Sequence, residues 1–213
     1  MIEYPKIETL WTRDEKTRRV IPGQHRREDF QAVKWWSVTE KIDGTNIRVS
    51  WDGEKIRFGG RTERAQVPTL LLEMLMDTFT AERMRKSFEE GAEVTLFGEG
   101  YGPKIQKGGG NYRSTPGFRL FDVKVGDWWL ERENVKDVAN KLEILTVPEF
   151  PDPITELPTS AHGLAAIFDD SVVAQEDGGS GLQAEGIVAR SIPTLFTRRG
   201  DRVMWKLKYR DFA

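Results

Sequence analysis

Cysteine is missing from the 213 residues, and histidine occurs only twice, at His25 and His162. The first absence excludes a disulfide scaffold, a thiolate zinc site and a cysteine nucleophile. The second argues against a His-based acid–base pair or a His-rich metal centre. No apolar run approaches the roughly eighteen residues that a membrane-spanning helix needs. The opening MIEYPKIETLW also lacks the basic-then-apolar layout of a signal peptide, so a cytoplasmic protein is expected. An excess of either charge is missing too. Against 34 Asp and Glu stand 32 Lys and Arg, for a formal net charge of -2, which excludes a general polyanion binder and leaves any nucleic-acid contact to a local basic patch. Hydrophobic residues make up 38% and charged residues 31%, the profile of a folded globular chain of one domain over residues 1–213. By elimination, lysines, arginines and carboxylates carry any chemistry.

The patterning predicts antiparallel sheets with helices packed on them. WWSVTEKI (35–42), NIRVSW (46–51) and EKIRFGG (54–60) read as strands of one half-exposed sheet, the last two joined by the hairpin signal Asp52-Gly53. In them Ile47, Val49 and Trp51 alternate with Asn46, Arg48 and Ser50, so one face is expected inside and the other outside. Pro68 opens one helical run over 69–90 that stops at Gly91, and a second helix is expected over 131–144 with Val135, Val138, Ala139 and Leu142 inward. EVTLFGEG (93–100) and GFRLFDVKV (117–125) are further strands, separated by a glycine-rich exposed loop. Four prolines make 146–159 irregular, SAHGLAAIFDDS (160–171) holds a short helix, and DGGSG (177–181) is a turn. LQAEGIVAR (182–190) and RVMWKLKY (202–209) close the chain as strands, giving an α+β class.

Glu40-Lys41-Ile42-Asp43-Gly44-Thr45-Asn46 sits at a strand end. Alone, such a segment is a surface lysine before a glycine turn. Downstream, in order, come Arg61-Thr62, Phe97-Gly98-Glu99-Gly100, Phe121-Asp122, Glu185-Gly186-Ile187-Val188 and Lys206-Leu207-Lys208. In the last of these the period of two places Lys206 and Lys208 on one face, with Val203, Trp205, Leu207 and Tyr209 on the other, and two cations facing one pocket need an anion. A free lysine is a poor nucleophile at neutral pH, and neighbouring positive charge or desolvation eases its deprotonation.

From Lys41 to Lys208 this ordered set resembles the covalent nucleotidyltransferases, the superfamily of polynucleotide ligases and mRNA capping enzymes, with a motif-bearing core over about 35–210. Asn46 stands where DNA ligases and capping enzymes usually have arginine. Together with Glu40 and Glu99 it is similar to the RNA ligases, particularly the phage RNA-ligase-2-like branch, although Thr39 replaces a basic residue common there. The resemblance implies an ATP-dependent RNA ligase in which Lys41 forms a lysyl-AMP intermediate, AMP passes to a 5′-phosphate end, and a 3′-hydroxyl attacks to seal it. It implies that Lys206 and Lys208 neutralise the α-phosphate and that Arg61 binds phosphate or ribose oxygens. It further implies that Glu99 accepts from the ribose, Phe121 stacks on adenine and Glu40 reads the adenine amino group. Glu185, with Asn46, would hold Mg²⁺ or Mn²⁺ directly or through water, and Asp43 and Asn46 would orient the lysine and that water.

The partner implied is RNA with 3′-OH and 5′-phosphate ends, at nicks in a duplex. Phosphate clamps are sought in the basic stretch 12–28, around the glycine loop at Lys104, Lys107 and Arg113, and at Arg198, Arg199 and Arg202, with Tyr112 as a base-stacking candidate. The chain ends five residues after Lys208. The expectation is therefore a monomer of phage or bacterial type without a C-terminal accessory domain, whose end-joining is weak, restricted to nicks or dependent on a separate protein. The rivals are a minimal DNA ligase, a guanylyltransferase, and a non-catalytic nucleotide- or nucleic-acid-binding relative.

Overall fold

Strong β-formers in period-two runs and short apolar-striped helices alternate along the chain, and the computed structural model, which describes residues 1–179 and 181–213, shows each of them. In chain order the strands are β1 (Glu8–Thr9), β2 (Trp11–Arg13), β3 (Val20–His25), β4 (Trp35–Lys41), β5 (Thr45–Trp51), β6 (Ile56–Gly59), β7 (Val94–Tyr101), β8 (Gly117–Val125), β9 (Trp128–Trp129), β10 (Gly186–Ile192) and β11 (Met204–Lys208). The helices are α1 (Asp29–Ala32), α2 (Thr69–Thr78), α3 (Ala81–Ser87), α4 (Arg132–Lys141), α5 (Ala161–Ala165) and α6 (Val172–Glu176). Among the described residues no helix is long and apolar enough to cross a membrane. The turn expected over 177–181 includes Ser180, which lies outside the described residues.

Two compact units divide the chain: Met1–Tyr4, Asp43–Val147 and Asp177–Gly179 form the first, and Pro5–Ile42, Pro148–Glu176 and 181–213 the second. The first is built on an antiparallel sheet of order β6-β5-β7-β8-β9. Ile47, Val49 and Trp51 of β5, Val94 and Leu96 of β7, and Phe118, Leu120 and Val123 of β8 face Leu71 and Leu75 of α2, Met84 of α3, and Val135, Val138 and Ala139 of α4. Each such aliphatic side chain contributes about 1.5–3 kcal/mol by leaving water. The second unit has the sheet order β1-β11-β10-β4, with β1 parallel to β11, beside a β2–β3 hairpin. Its core gathers Leu10, Phe30, Trp36, Val38, Leu164, Phe168, Ile187, Ala189, Trp205 and Leu207.

Four expectations change. Strand β4 does not join the β5–β6 hairpin; it belongs to the other sheet, and the chain leaves it through Asp43-Gly44. Where one helix was expected over 69–90 there are two. Phe79 leaves helical geometry to bury its ring against Phe118, with ring centroids 5.4 Å apart, and Thr80 starts α3 by accepting from the Arg83 amide at 3.3 Å. Arg48, on the strand face expected outside, is fully buried. Its guanidinium donates to the carbonyls of Gly60 at 2.6 Å and Ile2 at 3.0 Å, so the N-terminal residues cover what the alternation left to solvent. Strands β1 to β3 were not foreseen, because their segment reads as charged and carries few strand-length apolar alternations.

Candidate active site

In the second unit the register of three strands assembles the first group of residues. Lys41, the last residue of β4, lies opposite Gly186, and Gly186 in turn lies opposite Lys208 of β11. Glu185, immediately before β10, is therefore held where both lysines reach it. The Lys41 Nζ donates to one carboxylate oxygen and the Lys208 Nζ to the other, with Arg210 3.9 Å away. The Glu185 side chain is 11% exposed. Burial works to raise its pKa, but the charges and hydrogen bonds of Lys41 and Lys208 outweigh that and hold the carboxyl below the ordinary range. Lys206 shares the half-buried face of Lys208, whereas Val203, Trp205 and Leu207 are buried, as the alternation implied.

Gly186 is required here, since a Cβ would stand 2.0 Å from the Leu207 carbonyl oxygen. Asp211, unnoticed in the sequence, fixes the end of β11: it is buried, accepts from the Lys208 amide at 3.0 Å, and accepts from Arg13 at 2.6 Å. Arg13 therefore stands in an internal ion pair. Arg26 and Arg27 of the same basic stretch pair with Glu8 and Asp29.

Glu40 ties two elements of the second unit together. It is 2% exposed, and its carboxylate accepts from the Ser171 hydroxyl at 2.5 Å and the Val173 amide at 3.1 Å, joining the residue before Lys41 to the start of α6. A carboxylate taking an orphan helical N–H is stabilised there by charge-assisted bonds.

In the first unit a second group lines up across β5, β7 and β8. Asn46 lies opposite Glu99, and Glu99 opposite Arg119. Gly44 packs against Glu99 so closely that a Cβ would stand 2.3 Å from the Gly100 carbonyl oxygen and 2.9 Å from the Glu99 Cγ. The buried Asn46 Oδ1 has no hydrogen-bond partner among the described residues. A β-bulge falls at Phe121, where Phe97 pairs with Asp122 and Gly98 with Leu120. Phe121 lies on the face of β8 opposite Phe118 and Leu120, off the core face by the alternation itself. Its half-buried ring meets Tyr4 edge-on, with centroids 5.0 Å apart. The Asp43 amide donates to the Tyr112 hydroxyl at 3.1 Å. Tyr112 is thus a buried support at 2% exposure, not the base-stacking ring expected. Arg61 is exposed after β6. Arg119, also missed in the sequence, is buried and held by the Tyr101 hydroxyl at 3.2 Å and Asp177 at 3.2 Å. A buried arginine inside an alternating strand leaves no signal in single-sequence patterning.

Among the described residues no group of three or more His, Asp or Glu side chains forms a ready-made metal cage. In the second unit Glu185 has the donor chemistry of a hydrated divalent ion nonetheless: Mg²⁺ commonly takes one or two carboxylates together with phosphates and water, and Glu185 is an ionised carboxylate. In the first unit Asn46 Oδ1 is a separate buried acceptor with a lone pair to spare.

Lys41, Glu185 and Lys208 all fall within the stretch of the chain that a family model matches. The chain belongs to the RNA ligase family, whose model matches residues 34–208. Its fold is similar to that of two Naegleria gruberi RNA ligase mutants solved with AMP and Mn. Both matches are at 18% identity and cover 97% of this chain and 62% of the other, with TM-scores of 0.63 and 0.64. A third mutant of that ligase, with ATP and Mn, matches at 19% identity over 82% of this chain and 49% of its own, with a TM-score of 0.58. The chain thus spans less than two thirds of the length of these ligases. No curated protein matches it.

Proposed function

We propose that the chain is the nucleotidyltransferase domain of an ATP-dependent RNA ligase that works through lysyl-AMP. The observation that carries this reading is the shared grip of Lys41 and Lys208 on Glu185 at the end of β4, β10 and β11. An ammonium held by a carboxylate has no lone pair to offer phosphorus, so the arrangement is a resting state. Once Glu185 is engaged elsewhere and the Lys41 ammonium has given up one proton, its nitrogen attacks the α-phosphorus of ATP, a second N–H proton is released and pyrophosphate leaves. Lys206 and Lys208 then face the charge that spreads over the phosphate oxygens. A 5′-phosphate oxygen of RNA next attacks the AMP phosphorus and frees Lys41. Finally a 3′-hydroxyl attacks the activated 5′-phosphate and AMP departs.

A divalent ion, Mg²⁺ or Mn²⁺, supplies charge neutralisation at the phosphates when bound. By the motif order, Glu185 and Asn46 are the residues that would hold it, directly or through water, and the Mn of the similar Naegleria ligases supports a divalent ion as such. By the motif order, Glu99 accepts from the ribose, Phe121 stacks on adenine, Arg61 meets phosphate or ribose oxygens, and Asp43 orients the lysine. The strand alternation supports the Phe121 role, because it places that ring on the face of β8 opposite Phe118 and Leu120. The substrate we expect is a 3′-OH/5′-phosphate nick in duplexed RNA, sealed by a monomer.

Incubation with Mg²⁺ and α-phosphate-labelled ATP or GTP, followed by denaturation, tests the reading. An acid-labile label from ATP, absent in Lys41→Ala, is expected. Label from GTP would assign a guanylyltransferase, equal sealing of DNA nicks would assign a DNA ligase, and no label from a protein free of bound AMP by mass would leave only a binding role.

A further inference from the structure

The sheet that ends in Lys41, Gly186 and Lys208 has an opposite end, and nothing in the proposed chemistry uses it. There Trp35 opens β4 opposite Ile192, which closes β10, and the turn 195–203 leads back into β11. Six residues of extended strand separate Trp35 from Lys41, a span of about 20 Å. Trp35 is 45% exposed, Ile192 39% and Phe196 54%. Large apolar groups gathered at one sheet end are costly to leave in water and mark contact surfaces.

The turn that presents Phe196 is a built structure. The buried Ser191 hydroxyl accepts from the Leu195 amide at 2.9 Å, and the Val203 amide donates to the Leu195 carbonyl at 2.8 Å. Thr197 closes the tip, its amide donating to Asp201 O at 2.8 Å and its hydroxyl accepting from the amides of Arg199 and Asp201 at 3.2 Å. These bonds fix the loop with Arg198 and Arg199 exposed. Four arginines against the single Asp201 give residues 190–203 a charge of four minus one, or +3, in a chain whose net charge is -2. On the other side of Trp35, the Lys34 ammonium lies 5.3 Å from its ring centroid.

Exposed aromatic rings with exposed cations beside them in the chain match single-stranded nucleic acid, whose bases stack while its phosphates pair. We propose that Trp35 and Phe196, flanked in sequence by Lys34, Arg198 and Arg199, form a platform for an unpaired stretch of RNA that extends beyond the nicked duplex. The platform rests on the ligase reading for its partner, but its chemistry is separate from that of Lys41. A protein partner of the same patch would need carboxylates set against these cations and has no need of two stacking rings.

The test is the anisotropy of a labelled single-stranded RNA 12-mer over a salt series, run beside lysyl-AMP formation. Trp35→Ala with Phe196→Ala should weaken RNA binding at least about tenfold with the salt slope unchanged. Phe196→Ala alone serves if the double variant does not fold. Arg198→Ala with Arg199→Ala should flatten the logarithmic salt slope by about 1.4, two phosphate contacts at roughly 0.7 each. Lysyl-AMP formation should stay at the wild-type level in all of them. RNA binding within twofold of wild type in every variant overturns the platform. So does competition by base-free polyphosphate as strong as by RNA, or a wild-type dimer by light scattering that the aromatic variants dissociate. Absence of lysyl-AMP in the wild type, with RNA binding still dependent on Trp35 and Phe196, would defeat the ligase reading and leave the platform standing.

Discussion

The two units hold their motif residues by different physics. In the second unit charge does the holding: Glu185 grips Lys41 and Lys208, Glu40 grips Ser171 and the start of α6, and Asp211 grips Arg13. In the first unit close packing stands beside polar ties such as those of Asp43 to Tyr112 and Arg119 to Asp177. Gly44 fits against Glu99 with no room for a methyl group, the strand alternation sets Phe121 off the core face, and Asn46 Oδ1 has no hydrogen-bond partner among the described residues. Charged grips can be exchanged for a ligand's phosphates without rebuilding the fold, because each lysine keeps its strand position while its counter-ion changes. Steric grips cannot be exchanged, and they suit groups that must present one fixed face to a base or sugar. The contrast therefore predicts that charge substitutions in the second unit cost chemistry more than stability, and that volume substitutions in the first unit cost both.

Lys41→Ala should show the largest effect, complete loss of the covalent adduct with little change in melting temperature, read by intact mass and thermal unfolding. Glu185→Gln comes next. It keeps the shape and removes the charge, and the loss of adenylylation is expected to be about 10²–10³-fold, as for removal of one preorganised electrostatic partner. The same variant has a pH signature. The folded pKa of Glu185 is depressed below the ordinary 4.5, so its stabilisation is fully present above about pH 4.5 and disappears as pH falls through the lower folded value. Urea midpoints should then fall on acidification more steeply in wild type than in Glu185→Gln. Parallel acid limbs would show that the ion cluster contributes nothing to the fold.

Gly44→Ala sharpens the comparison from the other side. A methyl group 2.3 Å from the Gly100 carbonyl oxygen forces the backbone apart at the point where β5 meets β7. Overpacking of this kind costs about 1–3 kcal/mol. Because the displaced neighbour is Glu99, the Michaelis constant for ATP should rise alongside the fall in stability. A variant that lost stability alone would separate Gly44 from the nucleotide. Ser171→Ala costs stability to a similar degree. It takes one donor from a buried carboxylate, a cost of about 1.5–3 kcal/mol by denaturant unfolding, while the Val173 amide still holds Glu40.

Much of this contrast was legible in the residues, and the part that was not has physical reasons. Lys206 and Lys208 could be set on one face because a period of two fixes which side chains share it, and the burial of Trp205 and Leu207 follows from the same rule. The helix over 132–141 and its inward Val135, Val138 and Ala139 were equally plain. Register across strands distant in sequence leaves no such mark. The meeting of Lys41, Gly186 and Lys208, the row of Asn46, Glu99 and Arg119, and the transfer of β4 to another sheet all depend on pairings over long separations. Arg48, Arg119 and Tyr112 were misjudged or missed because buried polar groups are paired by tertiary partners, which no local window contains.

Thr80→Ala should show the smallest effect, and it tests whether steric order in the first unit is local or shared. Thr80 caps α3 at the break where the sequence pattern runs on as one helix, and its loss costs about 0.5–2 kcal/mol. Helix α3 contributes Met84 to the core cluster under the sheet, whereas Asn46 and Glu99 pair with each other across β5 and β7. If the glycine sets the site by contacts of its own, the variant melts a few degrees lower yet takes up AMP at the wild-type rate with the same Michaelis constant for ATP. A parallel change in that constant would mean that the core under the sheet, and not the close approach of Gly44 to Glu99, sets the geometry of the nucleotide residues.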